Sequence, residues 1–325
     1  MKTVLVSGAS GIVGYGALRS LRKHDPQLRL LGTSIYPDSV APAFCDTFVL
    51  APPTNSTEYM DWLDATIRQH SVDLLIPGIE VDMYKWGEQR SRIEATGAIP
   101  LLNDARLMEL CRDKWLFYQH LVSAHIPCAI PSSLSQDFDQ LQAQLGLPLL
   151  LKPRNGFGSK GILRVHSWED FTPHAQFIGA TLMAQPIVGS DEEEYTASAF
   201  GDGQGNIVAC MTLKRRLSKD GFTEKAAVVS SDFFLPAIAE LVAEFKPLGP
   251  TNFQFRKCTD GVKLLEINPR VSSSTAIRTA FGYNECGMAV DFFLHGKMPV
   301  QPSIQGGSAI RYTDEYILYE TGVHF

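Results

Sequence analysis

Short apolar runs broken by glycine recur through the first hundred residues. Thr3–Val6 reads as a buried strand, and Gly8-Ala9-Ser10-Gly11-Ile12-Val13-Gly14 leads from it into a helical pattern that runs to about Arg22. The same alternation predicts a strand over 28–34, a helix over 59–69, a strand over 72–76 and a helix over 81–95. Strands alternating with helices imply a parallel, doubly wound sheet. A mostly helical stretch over 104–125 then runs into Ile126-Pro127. Beyond it, strand-like segments come as neighbours: 147–152 with 161–165, 181–188 with 195–200, then 207–213 and 226–229. Segments 252–257 and 262–268 flank Thr259-Asp260-Gly261, a hairpin signal. The chain is therefore α/β at its start and antiparallel α+β afterwards. It shows no fixed-period repeat and no low-complexity tract.

The run Leu264-Leu265-Glu266-Ile267-Asn268-Pro269-Arg270 ends the last of these strands. Side chains two apart on a strand share a face, so Glu266 and Asn268 present two oxygen donors side by side. Pro269 has no N–H to give and stops the ladder. Two hard oxygen donors beside the Arg270 guanidinium suit a magnesium ion shared with phosphate oxygens. Gln254 joins them only in one register. A two-residue Asp260-Gly261 loop would pair it with Ile267 and put it on the wrong face. A three-residue Thr259-Asp260-Gly261 loop, with Gly261 left-handed, pairs Gln254 with Glu266, and this is the expected turn.

A second constellation is Lys152-Pro153-Arg154-Asn155-Gly156-Phe157-Gly158-Ser159-Lys160-Gly161. A strand delivers Lys152, and three glycines and a serine make a loop whose N–H groups can approach an anion. It is a hairpin-type phosphate clamp or an ordinary glycine-rich turn; G-x-x-x-x-G-K-[ST] opening a helix is absent. A third stretch, Met183 to Gly189 followed by Glu192-Glu193-Glu194, offers backbone groups to a base edge and carboxylates to a ribose. A run of charge is also what a solvated face looks like.

Composition narrows the class. The 325 residues suffice for two or three domains, and 45% hydrophobic with 20% charged residues is ordinary globular usage. A net charge of −6 gives no footprint for nucleic acid. No apolar run is long enough to cross a bilayer, and the N-terminus reads as a strand rather than a signal peptide. Six cysteines lack any C-x-x-C pair, which fits reduced thiols in the cytoplasm.

Together these features resemble the ATP-grasp superfamily, most nearly one ATP-grasp unit of the carbamoyl-phosphate synthase large subunit and stand-alone carboxylate–amine ligases. The resemblance covers nearly the whole chain in the family's order. It implies a Rossmann-like pre-ATP-grasp domain over 1–110, a small lid domain with a helical lead-in over 111–203, and a metal- and phosphate-binding domain over 204–325. It further implies that Lys114 and Lys152 contact ATP phosphates and that Gly156, Gly158, Ser159 and Gly161 cover them as a flap. Gln185 and the backbone of Ile187 would meet adenine, and Glu194 the ribose. Gln254, Glu266 and Asn268 would bind magnesium or manganese. Arg270, with Lys152 and Arg215, would serve the phosphoryl transfer. Two departures stand out: Pro186, where many relatives have an acid, and the Glu192–Glu194 run, which leaves the ribose contact open by one or two positions.

Glu80 and Asp82, Arg215 or Arg216, and Ser273 in its serine run are candidates for substrate contact. Each also has a plain structural reading, as a helix N-terminal acid, a basic turn or a helix cap. The chemistry implied is attack of a substrate carboxylate on the γ-phosphate, then capture of the acyl phosphate by an amine, with small-molecule substrates and a homodimer as the expected partners. Bicarbonate or carbamate phosphorylation with partner subunits is the alternative within the class. A nicotinamide-dependent dehydrogenase is the rival from another, on the strength of Gly8-x-x-Gly11-x-x-Gly14. Against it, the strand ending Thr33-Ser34-Ile35-Tyr36 carries no acid for a ribose. The glycines then serve tight strand–helix packing.

Overall fold

The first strand, β1 (Thr3–Val6), is buried along its whole length and lies at the centre of a five-stranded parallel sheet. The computed structural model describes residues 1–156, 161–219 and 221–318. After β1 come α1 (Ile12–His24), β2 (Arg29–Ser34), β3 (Thr47–Leu50), α2 (Tyr59–His70), β4 (Leu74–Ile76), α3 (Glu80–Glu88), α4 (Arg90–Glu94) and β5 (Ile99–Pro100). The strand order is β3-β2-β1-β4-β5. Val4 and Val6 pack on Leu18 and Leu21 of α1, whereas Leu5 meets Leu63 of α2 and Trp86 of α3 on the opposite face. An apolar run without alternation is what two covered faces require. The chain reverses direction across the sheet between β1 and β4, so a crevice opens at their carboxyl ends. The single helix expected over 81–95 is two helices, interrupted at Gln89, whose ψ of 21° leaves the helical range.

The glycines after β1 have a packing role. Gly8 has φ +56°, and a Cβ on Gly14 would stand 2.4 Å from the Gly8 carbonyl oxygen. A Cβ on Gly78, at the end of β4, would stand 2.1 Å from the Ser7 oxygen. Only bare backbone fits where β1, α1 and the β4–α3 turn meet.

Two short helices follow, α5 (Ala105–Arg112) and α6 (Lys114–Ser123), each capped by an aspartate, Asp104 and Asp113, that accepts from two backbone N–H groups. Then come α7 (Phe138–Leu145), β6 (Leu149–Pro153), β7 (Leu163–Val165), α8 (Trp168–Phe171) and β8 (Leu182–Pro186). The three strands form an antiparallel sheet in the order β7-β6-β8, covered by Phe138, Leu141 and Phe171.

The last part is built on a six-stranded sheet. Its elements are β9 (Glu194–Asp202), β10 (Ile207–Leu217), β11 (Thr223–Val229), α9 (Leu235–Phe245), β12 (Leu248–Cys258), β13 (Gly261–Asn268), α10 (Thr275–Ala280), α11 (Glu285–His295) and β14 (Ser308–Ile310). The order is β13-β12-β9-β10-β11-β14. β9 pairs with both β10 and β12, so the change of sheet falls between Pro186 and Glu194, earlier than the 203/204 division read from sequence. One face packs Ala197, Phe253 and Phe255 on Ile238 and Leu241 of α9. On the other, Phe200, Met211 and Leu213 share a core with α11 and with α1 of the parallel sheet.

The β12–β13 hairpin differs from expectation in its turn. Cys258 pairs with Gly261, so the loop is Thr259-Asp260 alone. That register would set Gln254 against Leu265. A bulge takes up one residue between the Phe255–Leu264 and Gln254–Glu266 pairs, and Gln254 therefore faces Glu266 as required. The correcting residue lies in the strand, not in the turn.

Candidate functional site

A cleft of about 1040 Å³ lies between the three-stranded sheet, the carboxyl edge of the parallel sheet and one face of the six-stranded sheet. Directly opposed residues of antiparallel strands share a face. The pairs Arg256–Glu194, Gln254–Thr196 and Asn252–Ser198 on one side of β12, and Gln254–Glu266 and Asn252–Asn268 on the other, set out three polar rows. Arg215 of β10 extends the first row, with its Nη2 2.8 Å from Glu194 Oε1.

Within this wall the first row is electrostatically closed. Glu194 gives Oε1 to Arg215 and Oε2 to Arg256 (3.1 Å), and all but a few per cent of its surface is buried. Both oxygens of the expected ribose ligand are thus engaged. Glu193 is held by Lys214 and Tyr195, which leaves Glu192 as the exposed carboxylate of that run that lines the cleft. Arg215 also donates to Gln254 Oε1, tying the first row to the second. Asn268 Nδ2 donates to Glu266 Oε1 at 3.0 Å, which turns the Asn268 carbonyl oxygen outward from that bond.

The facing wall carries the lysines. β6 delivers Lys152, whose Nζ donates to Gln185 Oε1 at 3.1 Å, and Gln185 in turn donates to Ser132. Burial pushes the Lys152 ammonium down to about 8, against the opposing pull of Glu266. Lys114 opens α6 and reaches Gly156 O at 2.7 Å. Asp113, the cap of that helix, pairs with Arg154 at 2.6 Å, so the lysine and the glycine segment are anchored to each other. Gly156 (φ +112°) and Gly161 (φ +74°) adopt backbone conformations that other residues avoid. Gly158 and Ser159 lie outside the described residues. Both ends of the Gln185 amide are committed within the protein. Pro186 and Val188 line the cleft on either side of Ile187.

At the far end, Arg270 Nη2 pairs with Glu80 at 2.7 Å, Nη1 donates to the Val271 carbonyl, and Nε, buried, has no partner among the described residues. Glu80 therefore reaches the cleft from the first turn of α3. Asp82 does not: it is buried and accepts from Thr54 and Tyr59 inside the parallel domain, which corrects its reading as a cleft residue. Arg216 points to Glu224 across the hairpin while still lining the cleft. Ser273 lines it as well, and its carbonyl accepts from Arg311.

Two buried residues escaped the sequence reading. Asn103 donates to Thr251 and to the Pro269 carbonyl (2.9 Å) and accepts from Leu248 N, clamping the end of β13 to β12. Arg278, fully buried, binds Ser272, Thr196, Asn252 and Glu285. Neither sits in a motif. The only trace of Arg278 in the sequence is a charge within an otherwise small and apolar helix.

Comparison with known proteins gives the same architecture. A family model described as ATP-grasp in the biosynthetic pathway with Ter operon matches residues 181–316. That segment is similar to ATP-grasp proteins, and the fold of the chain is the ATP-grasp fold of the solved structures that follow. Solved structures with this ATP-grasp fold include N5-carboxyaminoimidazole synthetase from Staphylococcus aureus, 14% identical with a TM-score of 0.72 over 93% of this chain and 80% of that one. Biotin carboxylase from Campylobacter jejuni is 15% identical, with a TM-score of 0.74 over 94% and 74%. N5-carboxyaminoimidazole ribonucleotide synthetase from Thermus thermophilus is 16% identical, with a TM-score of 0.71 over 94% and 81%. No curated protein matches the sequence. Beside Gln254 Oε1, which already accepts from Arg215, the Glu266 carboxylate and the Asn268 amide oxygen are hard donors of the kind that fit a magnesium ion completing its shell on phosphate oxygens. Among the described residues no cluster of three His, Cys, Asp or Glu exists to hold an ion without them.

Proposed function

We propose that this chain is an ATP-dependent ligase that activates a carboxylate as an acyl phosphate and transfers it to an amine, forming a carbon–nitrogen bond. The observation that carries the reading is that Lys114 and Lys152 from one wall and Glu266, Asn268 and Arg270 from the other line the same cleft. Lysine ammonium groups neutralise phosphate, and hard oxygens bring in the cation that phosphates share. S. aureus N5-carboxyaminoimidazole synthetase has been solved complexed with ADP.

In this reading Lys152 and Lys114 hold the phosphates, and the 156–161 segment covers them and keeps water from the acyl phosphate. The Gln185 side chain fixes Lys152, so the base is met by main-chain groups around Ile187. Glu194 braces Arg215 and Arg256, and Glu192 takes the ribose hydroxyls. Glu266 and Asn268, with Gln254 as the third oxygen, hold magnesium, or manganese in its place. When bound, that ion disperses charge on the transferring phosphoryl group. Arg270 faces the oxygens of the carboxylate under attack. The parallel sheet serves as a Rossmann-like pre-ATP-grasp domain, and the crevice beside Glu80 and Ser273 receives the substrates. All six cysteines are free, which fits a reducing cytoplasm; a homodimer completes the proposal.

The test is ADP release with magnesium across a panel of carboxylic acids and amines, with products identified by mass spectrometry. The expected result is turnover that needs one acid and one amine together, with an amide formed. ATP hydrolysis indifferent to every acid, or tight NADPH binding without nucleotide turnover, would count against it. Arg270→Met is expected to abolish ADP release and leave MgADP binding within about threefold.

A further inference from the structure

The third row of the cleft wall contains a donor that meets no acceptor among the described residues. Asn252 is 1% exposed and lines the cleft, directly opposite Asn268 and one row from Glu266. Its Oδ1 accepts from Thr196 Oγ1 at 2.6 Å and from Arg278 Nη2 at 2.9 Å. Those two donors settle the orientation of the amide, since a flipped group would put its NH2 against a guanidinium. Among the described residues, the Nδ2 that remains has no hydrogen-bond partner, and Arg270 Nε on the same wall has none either. Arg278 is itself fixed by Glu285 and also holds Ser272, another cleft residue. A fully buried ion pair thus fixes the orientation of one amide. Unsatisfied buried donors are rare in folded proteins because each carries a desolvation penalty.

We propose that Asn252 is a substrate-contacting residue whose Nδ2 donates to an oxyanion in the cleft. This rests on the ligase reading above and adds to it a specificity-determining group outside the phosphate and metal sets. The oxyanion belongs either to the phosphoryl group in transfer or to the carboxylate that receives it. Nδ2 is shut off from solvent in this structure, so the contact requires the wall to open at Asn252.

Calorimetry on the full chain separates these sources. MgADP is titrated first; inorganic phosphate and, separately, acetate are then titrated into the MgADP complex. Asn252→Asp keeps the shape and replaces the donor by an anion. The expected result is unchanged MgADP affinity with phosphate bound at least tenfold more weakly, or acetate so affected if the carboxylate is the source. Asn252→Ser, which keeps the charge and shortens the side chain, should show the same selective loss of a few fold and guards against misfolding of the first variant. Unchanged affinity for both anions in the two variants would overturn the proposal, as would a wild-type MgADP complex that takes up neither anion. Wild-type protein that does not bind MgADP at all would instead overturn the ligase reading, and this proposal with it.

Discussion

Lys152 illustrates how much of a site residue's chemistry is set by its surroundings. Its position at the end of an apolar strand was readable in the sequence; its weakened ammonium was not, because burial is set by neighbours such as Gln185 of β8, distant in the chain. Held down to about 8, it is partly neutral in the free protein at mildly alkaline pH. A phosphate beside it favours the charged form, so nucleotide binding between about pH 8 and 10 should take up a proton. Calorimetry of MgATP binding at pH 8.5 in buffers of different ionisation enthalpy measures this directly. Lys152→Met should remove the uptake and weaken MgATP by roughly 10- to 100-fold, the value of a charge-assisted hydrogen bond. The sign for stability is the opposite of a salt-bridged lysine. The folded pKa lies below the unfolded one, so the cost of burying Lys152 is full at neutral pH and is relieved as pH rises from about 8 toward 10.5. Glu194 shows the limit of motif transfer. The resemblance assigns it to ribose, but its carboxylate lies between two guanidiniums, a position fixed by cross-strand neighbours about 20 and 60 residues away. Glu194→Gln leaves those cations unbalanced and should cost roughly 3 kcal/mol of stability, read from the midpoint of urea unfolding.

At the level of elements, the hairpin and the first βα turn make complementary cases. Alternation along β12 and β13 demanded that Gln254 and Glu266 share a face, and they do. The device that achieves it, a bulge at Leu265, leaves no local signature, because an extra residue in a strand reads like any other apolar position. In the βα turn the glycine spacing is ambiguous in sequence between dinucleotide binding and close packing. The distances decide for packing. Gly14→Ala would drive a Cβ to 2.4 Å from Gly8 O and 2.7 Å from Ala9 Cα, both backbone atoms that cannot move aside. It should cost roughly 1–3 kcal/mol or more without any ligand present. Gly11→Ala meets Gly8 O only at 3.3 Å and should lower the thermal midpoint far less. Equal losses in the two variants would contradict the packing account.

Across the whole molecule the cleft is an assembly of parts that do not touch in sequence. Arg270 and Glu80 are brought together over 190 residues, and Lys152 faces Glu266 only because two sheets close on one space. Since the proposed cation position has a single carboxylate, Glu266, magnesium alone should show no saturable binding, while magnesium with ATP should bind and raise the melting temperature. At 100 times Kd the ligand contributes about 2.7 kcal/mol. Differential scanning fluorimetry with metal, nucleotide and both provides the comparison. By itself the sequence determined the order of strands and helices, the chemical types in the cleft and the face they share, since period, glycine spacing and side-chain chemistry are local properties. Only the tertiary structure decided which carboxylates are already neutralised, where β9 belongs, and which donors on the wall are left without partners. Those depend on burial and on cross-strand neighbours, and both are set by contacts between segments far apart in the chain.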